Sequence, residues 1–79
     1  MLLNDIARSI NEEMGRAKEK FPRWPEDIIR GASIVAEEAG ELVKASLQNF
    51  YEKGNFEDVK KEAIQTATMA IRFLENLNE

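Results

Sequence analysis

Helix-breaking residues cluster at only two places in this chain, and that limits how many helices it can hold. Both prolines stand at the first place, in Phe21-Pro22-Arg23-Trp24-Pro25. Proline lacks the N–H that a helix interior needs and its ring clashes with the preceding turn, so one helix stops here and another starts. The second place is Lys53-Gly54-Asn55. Gly54 suits the left-handed position that closes a helix, Asn55 suits the next N-cap, and Asp58, three residues on, suits a capping-box-like partner. Elsewhere the apolar residues recur at helical spacing, with no alternating strand pattern and no internal repeat. The pattern predicts an all-α chain of three helices, folded as one domain over residues 1–79.

The first helix is expected over residues 2–20, with Leu3, Ile6, Ile10, Met14, Ala17 and then Phe21 as its apolar stripe. The second runs from Pro25, at N1, to about Lys53, with Glu26 and Asp27 at the positive end of its dipole. Its main apolar face collects Ile28, Ile29, Val35, Ala39, Leu42, Val43, Leu47 and Phe50. The third runs from about Phe56 to Leu77, with Phe56, Val59, Ala63, Ala67, Ala70, Ile71 and Leu74 on its apolar face. At about 1.5 Å per residue the second helix is roughly 43 Å long, more than a compact domain of this size needs. Its ends are expected to pack against another copy. Gly31 and Gly40 inside it each cost about 1 kcal/mol relative to alanine, and they serve either close approach of a neighbouring helix or local bending.

A chain of 79 residues buries only a small core, and oligomerisation is one remedy. The absence of cysteine excludes disulfides and thiolate zinc sites, and the absence of histidine excludes the usual neutral-pH base and the Glu-x-x-His di-iron signature. A net charge of −4 argues against non-specific binding to a nucleic-acid backbone. No apolar run reaches the roughly 18 residues of a membrane span and no signal peptide is evident, so a soluble cytoplasmic protein is expected.

Glu37, Glu38 and Glu41 stand in the middle of the second helix. At about 100° per residue they share an arc of roughly 100°, where like charges repel by about a few tenths of a kcal/mol per pair. A hard divalent cation would relieve that repulsion. The arc lies opposite the main apolar face, and the plain interpretation is a solvated surface. Yet Ile34 and Ala45 lie on it, and Arg30, Lys44 and Gln48 extend the same stripe. The third helix repeats the pattern, with Glu62 between Asp58 and Gln65 and with Met69 and Phe73 on the same side. Two such strips on facing helices would form a metal cage inside a helical bundle.

Glu37-Glu38-Ala39-Gly40-Glu41 followed by Glu62 resembles the E-E-x-x-E … E-x-x-D pattern of the MazG-like, all-α nucleoside-triphosphate pyrophosphohydrolases, especially their small, phage- or mobile-element-associated members. Twenty residues separate Glu41 from Glu62, within that family's range. The flanks resemble it too, in Trp24-Pro25-Glu26-Asp27-Ile28-Ile29 and in Glu62-Ala63-Ile64-Gln65-Thr66-Ala67. The resemblance covers nearly the whole chain. One position departs: Gln65 stands where the family has its final aspartate. An amide still offers a carbonyl oxygen, but it carries no charge and cannot act as a base.

The resemblance implies an oligomeric helical bundle that cleaves between the α- and β-phosphates of (deoxy)nucleoside triphosphates, giving monophosphate and pyrophosphate. It implies Mg²⁺, with Mn²⁺ as an alternative, on Glu37, Glu38, Glu41, Glu62 and Gln65. Glu38 and Glu41 would be catalytic, with Glu38 orienting the attacking water. Arg30, Lys44, Lys53 and Arg72 are candidates for phosphate oxygens, each with an ordinary surface or ion-pairing role as the alternative. Trp24 would stack on a base or serve as a packing anchor. No Gly-rich phosphate loop or Walker lysine is present. The expected partners are a nucleoside triphosphate and further copies of the chain, as a homodimer or homotetramer, with no nucleic-acid polymer and no membrane. A catalytically weakened nucleotide-binding relative and a plain helical oligomerisation module stand as alternatives.

Overall fold

The computed structural model describes residues 2–77, which form three helices and no strand. They are α1 (Leu3–Lys20), α2 (Ile28–Glu52) and α3 (Phe56–Glu75). Among the described residues no helix is long and apolar enough to cross a membrane. The helix count and both breaks match the proline and glycine positions, but two ends differ.

α2 does not begin at Pro25. Asp27 has extended backbone and its carboxylate accepts from the Ile29 N–H at 2.8 Å, so the helix starts at Ile28. Pro25 and Glu26 belong to the connection, and α2 has 25 residues, about 37 Å. At its other end the left-handed residue is Lys53, at φ 58°, and not Gly54. Gly54 is needed for a different reason: a Cβ there would stand 3.1 Å from the backbone carbon of Gln48. That close approach lets the Gly54 N–H reach the Gln48 carbonyl at 2.9 Å while Asn49 Nδ2 donates to the Gly54 carbonyl at 2.8 Å. Asn55 caps α3 as expected, its amide oxygen accepting from the Glu57 N–H at 2.8 Å.

α3 is the central element. It packs against both α1 and α2, while among the described residues α1 and α2 make no close backbone approach to each other. The radius of gyration is 13.5 Å, above the roughly 12 Å of a compact domain of this length, as an open arrangement requires. Arg72 holds it at one end. Only 4% exposed, its guanidinium donates to the Ala17 carbonyl at 3.5 Å and to the Phe21 carbonyl, fastening the C-terminus of α1 to α3. The Ala17 carbonyl also accepts the Phe21 N–H at 2.8 Å, so Arg72 is its second donor. The same guanidinium lies 5.3 Å from the Trp24 ring centre. Trp24 in turn abuts Gly31, where a Cβ would meet Trp24 Nε1 at 3.0 Å and Phe73 Cδ1 at 3.2 Å. Thr68, fully buried, closes its hydroxyl onto the Ile64 carbonyl at 2.7 Å.

The inward side of α2 takes in only part of the face expected, namely Val35, Ala39 and Leu42. Gly31 and Ala45 are buried, and Ile34, Val35, Glu38, Leu42 and Asn49 are half-buried. Ile28, Ile29, Val43, Leu47 and Phe50 of the main apolar face are exposed. On α3, Phe56, Ala63, Ile71 and Leu74 are likewise exposed, whereas Met69 and Phe73 are half-buried. The physical reason is steric. Gly31 and Ala45 let α3 come close, and the Arg72–Trp24 lock fixes that side inward, so the bulky stripes turn out. The α1 stripe is in the expected place, with Ile6, Ile10 and Met14 half-buried and Ala17 buried.

Two outcomes follow for stability. Arg72→Ala removes the donor to the Phe21 carbonyl and the second donor to the Ala17 carbonyl, and lowers unfolding free energy by about 2–3 kcal/mol, read from urea denaturation. Lys53→Gly removes the left-handed strain and raises it by about 1 kcal/mol.

Candidate functional site

Because α1 and α2 touch α3 but not each other, a cleft opens between them with α3 as its floor. Its volume is about 920 Å³, in the range of small-molecule sites. Glu13, Arg16, Ala17 and Lys20 of α1 form one wall, and Ile34, Glu37 and Glu38 of α2 form the other. Lys61, Gln65, Met69 and Arg72 line the floor, and Phe21, Arg23, Trp24 and Pro25 close one end.

Glu38 is the acidic focus. Its carboxyl is held above the ordinary carboxylate value, first by burial and then by the charges of Glu62, Glu41, Glu13 and Glu37. Three of the four glutamates singled out above, Glu37, Glu41 and Glu62, therefore act on Glu38, from α2 and α3. Glu62 is half-buried, while Glu37 and Glu41 are exposed, and Glu41 and Glu62 lie beside the cleft and not in its lining. Among the described residues no three acidic side chains converge closely enough to hold a metal ion between them. Gln65 lines the cleft floor.

The basic candidates divide. Arg30, Lys44 and Lys53 are exposed and outside the cleft lining, and Lys53 serves the helix end instead. Arg72 and Trp24 line the cleft, but the Arg72 guanidinium is already bonded to α1 carbonyls and Trp24 is wedged between it and Gly31.

Four other cations reach the cleft that sequence reasoning did not select: Arg16, Lys20, Arg23 and Lys61. Arg16 pairs with Glu13 at 2.9 Å, and the Lys20 ammonium lies 5.4 Å from the Phe21 ring centre. Among the described residues Lys20, Arg23 and Lys61 make no ion pair with a carboxylate. A signal was present for the α1 members. Glu13, Arg16, Ala17 and Lys20 share one helical face, and polar residues flanking a buried Ala17 mark a strip that is only partly solvated. No comparable signal brings Lys61 or Arg23 to the same place, because that depends on how the helices cross.

No protein-family model, curated protein or solved structure matches the chain.

Glu38 carries a pH dependence whose sign follows from its raised pKa. The native state holds the proton more tightly than the unfolded chain, so ionised Glu38 destabilises the fold at neutral pH. That penalty fades as pH falls through the raised value toward the ordinary 4.5. In metal-free buffer Glu38→Gln raises the Tm at pH 7, and its lead over the wild type shrinks toward zero as the pH falls to 4.5. A lead that stays constant with pH would mean that burial and the neighbouring charges do not act on this carboxyl.

Proposed function

We propose that the chain is a MazG-like nucleoside-triphosphate pyrophosphohydrolase, cleaving the α–β phosphate bond of a (deoxy)nucleoside triphosphate to give monophosphate and pyrophosphate. One observation carries this. Glu38, half-buried and loaded by four neighbouring carboxylates, opens onto a cleft whose remaining walls carry Arg16, Lys20, Arg23 and Lys61. Apart from Glu13, which Arg16 pairs, the acids of the lining lie on α2 and the cations elsewhere, within one cavity large enough for a nucleotide.

The donor set suits a hard cation. Glu37, Glu38, Glu41 and Glu62 would hold Mg²⁺ or Mn²⁺, with the Gln65 side-chain carbonyl as a further donor. All are oxygens, and Mg²⁺ keeps several waters and uses few carboxylates, so a closed protein cage is not required. When bound, the ion would polarise a phosphoryl oxygen, lower the pKa of a bound water and stabilise the departing pyrophosphate. The chain's own groups do the rest. Glu38 accepts a hydrogen bond from the attacking water and takes its proton, and the charge of Glu41, by raising the Glu38 pKa, makes it a stronger base. Lys61, Arg23 and Lys20 neutralise phosphate oxygens. Ile34, Met69 and Trp24 give the cleft an apolar flank for a base. The enzyme would act as an assembly of two or four copies, in the cytoplasm.

A second reading, nucleotide binding without turnover, is favoured by Gln65, which adds no charge to the cleft floor. Pyrophosphate release across canonical and modified nucleoside triphosphates, with Mg²⁺ and with chelator, separates the two. The expected result is metal-dependent release that drops by at least about 100-fold in Glu38→Gln and Glu41→Gln. Binding without release, converted to release by Gln65→Asp, selects the second reading. Absence of both metal and nucleotide binding at millimolar concentration rejects both.

A further inference from the structure

We propose that Arg16 is an anion-binding residue of the cleft, that the Glu13 carboxylate competes for it, and that a phosphoryl group of the ligand displaces that carboxylate. Both side chains stand on α1 and line the cleft. Arg16 Nε donates to Glu13 Oε1 at 3.0 Å, and Arg16 Nη2 reaches the same oxygen at 2.9 Å. The inference rests on the proposed reaction for the class of its ligand, a phosphoanhydride chain.

This ion pair is built differently from the others. Among the described residues three further pairs join Arg8 to Asp5, Lys18 to Glu75 and Lys60 to Glu57, and in each both side chains are at least 40% exposed. In the Glu13–Arg16 pair the acid is 16% exposed and the base 64%. The carboxylate is therefore the inner partner, and the guanidinium leans over it from the rim. Desolvating a carboxylate is costly, and a helix-surface pair has no need to bear that cost. Nor do the acids of the opposite wall favour it. The charge of Glu13 is felt at Glu38, although α1 and α2 make no close backbone approach. What the position offers an anion is cations. Lys20 stands one turn beyond Arg16 on α1 and Lys61 on the floor, and among the described residues neither pairs with a carboxylate. Glu13 is a resident anion in a place suited to one.

The pair is also weak enough to exchange. An exposed ion pair three residues apart on a helix shifts an equilibrium by no more than about fivefold. Both Arg16 nitrogens share one oxygen of Glu13, so the contact is not the fork-on-fork arrangement that would lock it. A phosphoryl group offers two oxygens to the same fork and carries more charge. It takes Nε and Nη2, and Glu13 is released to water. Glu13 thereby sets a threshold, because an anion gains Arg16 only by outcompeting a carboxylate.

The test uses inorganic triphosphate as the probe, in chelator, so that no divalent cation bridges it to the acids. Titration calorimetry gives its affinity for the wild type, Glu13→Gln, Arg16→Gln and the double variant. The expected result is binding about three- to tenfold tighter in Glu13→Gln, with the same substitution gaining less than about twofold in the Arg16→Gln background. Should a variant misfold, the wild type still answers. Its Arg16 Nε–H resonance is expected to move saturably as triphosphate is added. An equal gain with and without Arg16 would make Glu13 a plain charge and overturn the inference. So would an Arg16 resonance that stays in place, or no triphosphate binding by any form at millimolar concentration. Pyrophosphate release from nucleoside triphosphates with Mg²⁺ is read on the same proteins. Release alongside any of those overturning results leaves the proposed reaction standing. The expected binding results without release from the wild type retain the Arg16 exchange and reject the reaction.

Discussion

The Arg72 guanidinium is the fastening on which the described architecture depends. It is buried on α3, bonded to the last carbonyls of α1 and stacked near Trp24, which itself presses on Gly31 of α2. One cation thus ties all three helices at one end of the bundle. It replaces the large apolar core that a short chain lacks, and it leaves α1 and α2 free to diverge elsewhere. The cleft is the consequence. Two helices held to a third at one end, and not to each other, enclose space between them.

What fills the walls of that space is chemically sorted. Carboxylates concentrate where α2 meets α3, and their mutual repulsion, together with burial, is felt most at Glu38. Cations line the connection, the α3 floor and α1, where Glu13 is paired with Arg16. A solvated surface would have no reason to half-bury a carboxylate beside others of its kind, because isolated charge is costly to desolvate. The unrelieved acid is stability given up at neutral pH, and a divalent cation is the simplest agent that would restore it. Under the proposed function, a phosphate-bearing ligand would complete the charge balance with the cations.

Much of this was legible in the sequence, and the limits are physical. Pro22, Pro25 and the Gly54-Asn55 pair announced three helices, since their effect is local. Ile34 and Ala45 on an acidic arc, and Met69 and Phe73 beside Glu62, announced a half-buried strip, and those residues are indeed buried or half-buried. What was not legible is that this strip, and not the bulkier stripe beside it, is the more deeply buried side of α2. Hydrophobic content alone favours the Ile29–Phe50 stripe, but Gly31 and Ala45 allow closer packing on the other side, and close packing won. Lys53 in a left-handed conformation was masked by the adjacent glycine, whose role is clearance from Gln48 and not its own φ. Lys61 and Arg23 were hidden because a charge in the sequence gives no sign of which helix it will face.

The central claim is that the carboxylates around Glu38 form a divalent-cation site at the mouth of the cleft. Paramagnetic broadening of backbone amide resonances by substoichiometric Mn²⁺ tests it most directly. The account predicts early, saturable broadening confined to residues near Glu37, Glu38, Glu41 and Glu62 and to the adjoining Lys61 and Gln65, reversed by excess Mg²⁺. Broadening spread evenly over the surface acids, or centred on the acids of α1 or the chain ends, would contradict it.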